Sequence, residues 1–277
     1  MIKLICDTMS DVPSEIIEKY NIHVVPTMVT IDGKDYVDGV DITEEEFYKV
    51  LRSSKELPKT SQATYAQFKE VFDQYINDYD EILFIGGSSK ASGTYQSAVL
   101  ASKDCEGKAT IHTFDTMNFS AGGAVFIIKA CLLLDEGKSS SEIVNILESL
   151  KGTQKVFVSV DTLEYLKKGG RISTAKATLG TLLNLKPILE LEDGLIAAKG
   201  QVRGTKQMIN SIISNALDGN NDFSDKIVVY GCGDNLKDGE TLKNIILSKN
   251  PKIAYEVKAG VSITAHSGPA IVGIACL

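Results

Sequence analysis

The feature that most narrows the fold is the alternation of short β-rich runs with helical stretches through the first 150 residues. Residues 2–6, 24–31, 81–85 and 110–114 read as strands, and helical patterns lie near 13–20, 43–53, 64–77, 91–102 and 120–135. Pro13 suits a first helical turn, where its missing N–H costs nothing. Thr43 with Glu46 and Ser139 with Glu142 have capping-box spacing, which marks two further helix starts. Strands regularly separated by helices imply a mostly parallel sheet with helices on both faces.

Beyond about residue 150 the pattern changes. A strand over 155–160 precedes helical segments near 161–168 and 174–183. Strands over 187–191 and 195–201 are then joined through Asp193-Gly194, a strong hairpin signal. A helix near 205–217, a strand at 226–231, a helix near 236–248 and strands near 252–258 and 270–276 complete the chain. The expected fold class is therefore α/β in two lobes. Residues 1–152 form an α/β lobe and residues 153–277 an α+β lobe with a largely antiparallel sheet. No Pro- or Ser-rich linker separates the halves, so they should pack closely and leave a cleft between them.

Composition removes several function classes. With 43% hydrophobic and 23% charged residues, the 277-residue chain is globular rather than disordered. Its 36 acidic against 29 basic residues, a formal charge of −7, argue against nucleic acid as a partner, because backbone-phosphate affinity needs a basic field. No apolar run reaches the ~18 residues of a membrane span, and the amino terminus shows no signal-peptide pattern. Five scattered cysteines (6, 105, 131, 232 and 276) with no CxxC pair fit a reduced, cytoplasmic setting.

The familiar catalytic signatures fail one by one. A phosphate-binding GxxxxGK[ST] is absent, since Gly137-Lys138-Ser139 has Leu132 where the first glycine belongs. Gly231-Cys232-Gly233 does not continue into GxGxxG, and Gly87-Ser88-Ser89-Lys90-Ala91 lacks the last glycine of GxSxG. Three histidines (23, 112 and 266) without ligand spacing make a zinc site improbable, and no metal or cofactor is expected.

Four polar segments remain. Asp7-Thr8-Met9-Ser10-Asp11, the run 86–94 and the run 115–120 each follow an expected strand, while Thr60-Ser61-Gln62 precedes a helix. In a doubly wound sheet the first three would converge outside the carboxyl ends of the strands, where ligands bind. Their content is hydroxyls and glycine rather than charge. Gly93 beside Ser92 would let backbone N–H groups approach an anion at a helix start. Turn formation explains the same residues about as well.

These segments carry a resemblance. The stretches 7–11, Thr60-Ser61-Gln62, 88–98 (SSKASGTYQSA), 161–173 (DTLEYLKKGGRIS), 182–189 (LLNLKPIL), 199–206 and Ala265-His266-Ser267-Gly268-Pro269 are similar, in order, to the DegV family of bacterial fatty-acid-binding proteins. That family includes the fatty-acid-binding subunit of fatty acid kinase. The resemblance spans essentially the whole chain, 1–277, and LEYLKKGGRIS is its most specific part. Two departures stand out: Ala63-Thr64 replaces the family's Pro-Ser, and Ala91 replaces a leucine before Ser92-Gly93, which would reshape an acyl pocket.

The resemblance implies a bound long-chain fatty acid, such as palmitate or oleate, in a buried tunnel. Thr60, Ser92 and His266 would hold its carboxylate, and Ser61, Gly93, Thr94 and Asn118 would support the head-group loop. Arg203 matches an arginine needed for phosphate transfer to the bound acyl carboxylate, so a fatty acid kinase subunit is the implied protein partner. The chain would then be a carrier in lipid transport or fatty acid metabolism, with no turnover alone. Without the family, a structural role is the favoured reading of His266 beside a Gly-Pro turn and, by a smaller margin, of Thr60 in a turn. Arg171 reads as a backbone cap or a structural pairing partner, and Arg203 as a surface residue.

A competing reading is a Ser-dependent hydrolase or acyltransferase using Ser92 with His266 as base. It lacks both an elbow motif and an evident acid. A purely regulatory or structural protein with an incidental lipid is a third. Between residues 165 and 206 eight Lys/Arg stand against three acids. A solvated surface is the default reading of such a stripe, and a docking face for an anionic partner, with Lys167 and Lys168 at its start, is the alternative.

Overall fold

The computed structural model describes residues 1–173 and 185–277. The helix expected near 174–183, Lys176 and the first part of the 182–189 match lie outside the described residues. β1 (Ile2–Asp7), β2 (His23–Val25), β6 (Glu81–Gly86) and β7 (Thr110–Asp115) form an all-parallel sheet of order β2-β1-β6-β7. The apolar runs Leu4-Ile5-Cys6 and Ile82-Leu83-Phe84-Ile85 are buried along their whole length, as expected of strands covered on both faces.

The connections between these strands carry α1 (Ser14–Lys19), α2 (Glu44–Ser53), α3 (Tyr65–Tyr75) and α4 (Thr94–Lys103), and α5 (Ala121–Asp135) and α6 (Ser140–Leu150) follow β7. Both expected capping boxes form. Glu46 N donates to Thr43 Oγ1 at 3.3 Å, and Glu142 N donates to Ser139 Oγ at 3.4 Å, each with the reciprocal bond. A third box at Thr64 and Gln67 starts α3. It gives physical sense to the departure at 63–64: Thr64 caps as a serine would, and Ala63 keeps an N–H that donates to Thr94 Oγ1 at 3.2 Å, which a proline could not.

The run read as one strand over 24–31 is two. Pro26-Thr27 breaks it, and its second part, β3 (Met28–Ile31), leaves the parallel sheet. β3 instead pairs with β4 (Lys34–Val37) and β5 (Lys59–Ser61) in a small antiparallel sheet of order β4-β3-β5. Neither β4 nor β5 was expected. β4 returns through Asp32-Gly33, both at positive φ, a hairpin signal of the same kind as Asp193-Gly194.

The second sheet has order β10-β9-β8-β13-β11-β12. Its strands are β8 (Lys155–Ser159), β9 (Leu185–Glu192), β10 (Leu195–Arg203), β11 (Ile227–Cys232), β12 (Ile253–Lys258) and β13 (Val272–Cys276). Every pairing is antiparallel except β11 with β12. α8 (Thr205–Leu217) and α9 (Leu236–Leu247) cover its outer face through Met208, Ile212, Leu242 and Ile246. α7 (Glu164–Gly169) follows β8, and α10 (Val261–Ser267) joins β12 to β13. The boundary expected at 152/153 falls in the turn between α6 and β8. The fold class is the expected one, a parallel sheet with helices beside a mostly antiparallel sheet.

α5 links the two sheets. Eleven of its fifteen residues are buried, so it shows no polar face, the pattern of a helix packed on all sides. One side meets Leu4, Leu83 and Ile85 of the parallel sheet, and the other meets Val156, Val229 and Ala275 of the second sheet. Near the amino-terminal end of α5 the packing leaves a space.

Candidate functional site

That space is a cavity of about 190 Å³ among the described residues. Its walls are mostly apolar: Val156, Val158 and Val160 from β8 and the residue after it, Ile263 from α10, and Phe119 and Ala121 at the start of α5. Polar groups collect where β5, which carries Thr60, and the loop that carries Ser92 meet α10. Thr60, Ser61, Ser92, Gly93 and His266 all line the cavity, so five of the residues singled out in the sequence come together from three distant segments.

Their geometry is specific. Thr60 Oγ1 lies 2.8 Å from His266 Nε2. Ser92 Oγ lies 2.9 Å from Thr94 Oγ1 and accepts the Thr94 N–H at 3.2 Å. The two loops are knitted together by Thr94, which also takes the Ala63 N–H, and by Gln62 Nε2, which donates to Ser97 Oγ at 3.0 Å. A Cβ on Gly93 would meet the end of the Gln62 side chain, which packs against this glycine. Thr94 is fully buried and does not line the cavity. Asn118 is also buried. It lies beside α5, outside the lining, and its Nδ2 donates to Thr116 O at 2.7 Å, closing the turn after β7. Ser92 and His266 are not hydrogen-bonded to each other.

His266 is held neutral. Burial, reinforced by the Arg171 charge, lowers its pKa to about 4. Arg171 also lines the cavity, although the sequence favours a structural role for it, capping backbone or pairing, over ligand contact. It does play that role: Nε donates to Ala91 O at 3.0 Å, and a second N–H goes to Gly169 O. The polar end of the cavity is therefore not wholly uncharged, because a cation with two donors already committed sits at its edge. Gly169 makes room for the imidazole, since a Cβ there would strike His266 Nδ1.

Three aspartates stand behind this end. Asp11 accepts the Gly260 N–H at 3.0 Å and the Ser120 hydroxyl, and Asp38 accepts the Ser262 N–H at 3.2 Å. Both thereby anchor the start of α10, which carries His266. Asp7 accepts N–H groups from Met9 at 2.9 Å and Gly87 at 3.0 Å, tying two loops together. Burial raises all three carboxyls, Asp7 to about 6 and Asp11 to about 8, with the backbone donors working against the rise. Ser120, Thr27 and Ser262 bring further hydroxyls to the cavity wall. Thr27 and Ser262, which are hydrogen-bonded to each other, were not singled out in the sequence: isolated hydroxyl residues carry no motif.

Three lysines of the basic stripe between 165 and 206 are paired with acids. Lys168 pairs with Glu164 at 2.8 Å, Lys186 with Asp161 at 2.6 Å and Lys199 with Glu190 at 2.7 Å, while Arg171 is turned inward. Two of those acids precede the window in which the charge excess was counted. Arg203 ends β10 on the exposed surface, away from the cavity lining, with no ion-pair partner among the described residues. Among the described residues there is no group of three or more His, Cys, Asp or Glu placed to hold a metal, and no helix is long and apolar enough to cross a membrane.

Fold and site together define an α/β protein in which a parallel and a mostly antiparallel sheet flank an internal, mainly apolar cavity with a hydroxyl–imidazole end. The chain belongs to the DegV family, whose family model matches residues 1–277. A DegV domain-containing protein of Caldanaerobacter subterraneus subsp. tengcongensis is 39% identical over 279 residues, covering 99% of this chain and 97% of that protein. Among solved structures, a DegV family protein from Thermus thermophilus, described by its fatty acid binding, superposes with a TM-score of 0.90 at 32% identity, covering 99% of this chain and 98% of that one. A DegV lipid binding protein from Thermotoga maritima gives a TM-score of 0.90 at 31% identity, with coverages of 99% and 97%.

Proposed function

We propose that this protein binds a long-chain fatty acid such as palmitate or oleate. The tail would lie in the cavity and the carboxylate among Thr60, Ser92 and His266, within a loop shaped by Ser61, Gly93 and Thr94. The observation that carries this reading is one apolar cavity with its neutral hydrogen-bonding groups gathered at one end. The binding of fatty acid by the Thermus relative adds to it.

The energetics agree with a lipid. A cavity of 190 Å³ has room for roughly a dozen water-sized groups, and burying that many methylenes at about 0.8 kcal/mol each offers on the order of 10 kcal/mol before association costs. The carboxylate must come with the tail, and without partners its burial would cost several kcal/mol. A neutral His266 supplies the missing donor through Thr60. With its proton on Nε2, the imidazole donates to Thr60 Oγ1, and the Thr60 O–H is then free to donate to the carboxylate. The Arg171 charge favours the anion without a direct ion pair that would hinder release.

In this reading the protein is a cytoplasmic carrier in lipid transport or fatty acid metabolism. It has no catalysis of its own and presents the carboxylate to a partner kinase for acyl phosphate formation. Arg203, exposed and away from the lipid, would act in that transfer. The hydrolase reading has less to support it, because Ser92 bonds to Thr94 and His266 to Thr60.

Native mass spectrometry of protein purified from bacteria tests the core of the proposal: a co-purified mass matching a fatty acid is expected. Thr60→Val should weaken palmitate binding about tenfold or more, the worth of a hydrogen bond to a charged group. A lipid-free spectrum together with no uptake of palmitate or oleate would overturn it. Reconstitution with fatty acid, ATP, magnesium and the candidate kinase should give acyl phosphate only with all components present.

A further inference from the structure

The cavity runs along the inner face of the second sheet, and the strand registers show how it ends. In β8, β13, β11 and β12, side chains of alternate residues face α5, so they form cross-strand rows about 6.6 Å apart. The row nearest α10 contains Ile271 and Ala259, both lining the cavity. The next row reads Val158, Gly273, Gly231, Val257: Gly273 pairs with Val158 and with Gly231, and Gly231 pairs with Val257. All four line the cavity. Two adjacent strands thus lack a side chain at one level, between two valine walls and on the face that packs against α5.

The row after that reads Val156, Ala275, Val229, Tyr255. Here the two central positions are filled again. Val229 and Ala275 are both 0% exposed, pack into the α5 core and do not line the cavity. The glycine level is therefore a slot, and the level beyond it is a wall. Both glycines are also sterically required: a Cβ on Gly231 would strike the Val257 carbonyl, and one on Gly273 would lie 2.5 Å from Val158 Cγ1.

We propose that Gly231 and Gly273 form the slot that receives the end of the acyl tail, and that Val229 with Ala275 is the stop that sets the longest chain this protein accepts. The proposal rests on the fatty-acid reading above and adds the residues that measure the tail. Gly231 and Gly273 line the cavity one row further from α10 than Ile271 and Ala259, and neither is among Thr60, Ser92 and His266.

The test uses the full-length, delipidated protein and a series of saturated acids from decanoate to arachidate, with dissociation constants measured for each. Val229→Ala removes the stop. It should move the preference toward longer acids, improving the longest on the order of tenfold relative to palmitate, the effect of burying about two more methylenes. Val158→Phe fills the slot from its side wall and should shift the preference the opposite way, sparing decanoate. Melting curves of both variants establish that they are folded, and neither touches the head-group residues. Opposite shifts uphold the proposal. An unchanged length preference in both folded variants, or an equal loss for every acid, overturns it while leaving fatty-acid binding intact. If the unaltered protein takes up no acid at all, the fatty-acid reading itself fails.

Discussion

Replacing Asp11 with asparagine should make the protein more stable at alkaline pH. Asp11 sits between Ser120 and the Gly260 N–H, near the Asp38 and Glu44 carboxylates, and burial raises its pKa from 3.8 to about 8. A carboxyl raised on folding favours the native state while protonated. Its contribution is complete below about pH 4 and is lost as pH rises toward 8. At 1.36 kcal/mol per pH unit, the displacement from 3.8 to about 8 sets a ceiling near 6 kcal/mol. Asp11 is only partly buried, so solvent screening reduces this to a few kcal/mol.

Comparing the parent protein with the variant over the window from pH 6.5 to 8.5 reads the effect, since Asp38, also raised by burial, is common to both. Asp7, at about 6, has largely ionised below that window. His266 is depressed to about 4, so its contribution is already complete above the ordinary histidine value of 6.5 and is lost only on acidification. An asparagine side chain in place of Asp11 would keep both contacts, accepting from Gly260 and donating to Ser120. Urea unfolding at half-unit pH steps should show the parent protein losing stability across this window. Asp11→Asn should stay flatter and finish more stable by about 2 kcal/mol. Curves that run parallel, whatever their offset, would refute the assignment of a neutral Asp11, because a changed hydrogen bond alters the offset and only titration alters the slope.

Three shorter expectations follow. Gly169→Ala should displace the His266 ring and weaken palmitate binding severalfold with little change in melting temperature, read by isothermal titration. Phe126→Ala, at a fully buried position of α5 packed against Phe114, should cost about 3–5 kcal/mol in urea unfolding. Arg203→Ala should bind lipid normally yet support little acyl phosphate formation with the partner kinase. Equal loss of both activities would make Arg203 structural instead.

How much of this was legible in the sequence depends on whether the determinant is local. The helices starting at Thr43 and Ser139 were readable because their caps lie three residues from the groups they satisfy. The β9–β10 hairpin was readable because Asp193-Gly194 encodes its turn. The split at Pro26 was missed because both halves of 24–31 are equally strand-like, and which sheet each joins is decided by distant partners. The small sheet was missed with it.

α10 shows the limit most clearly. Val261-Ser262-Ile263-Thr264 is rich in β-branched residues and has no capping side chain of its own, so nothing nearby announces a helix. Its first N–H groups are instead satisfied by Asp11 and Asp38, 249 and 224 residues away along the chain. Those same contacts fix the helix that sets His266 against Thr60, 206 residues distant. The placement of His266 is thus a property of the packed chain rather than of any window within it. Local pattern could find the hydroxyl-rich loops, but only a resemblance extending over the whole chain could join them to this histidine. It follows that Asp11 and Asp38, though they do not line the cavity, help hold His266 at its polar end.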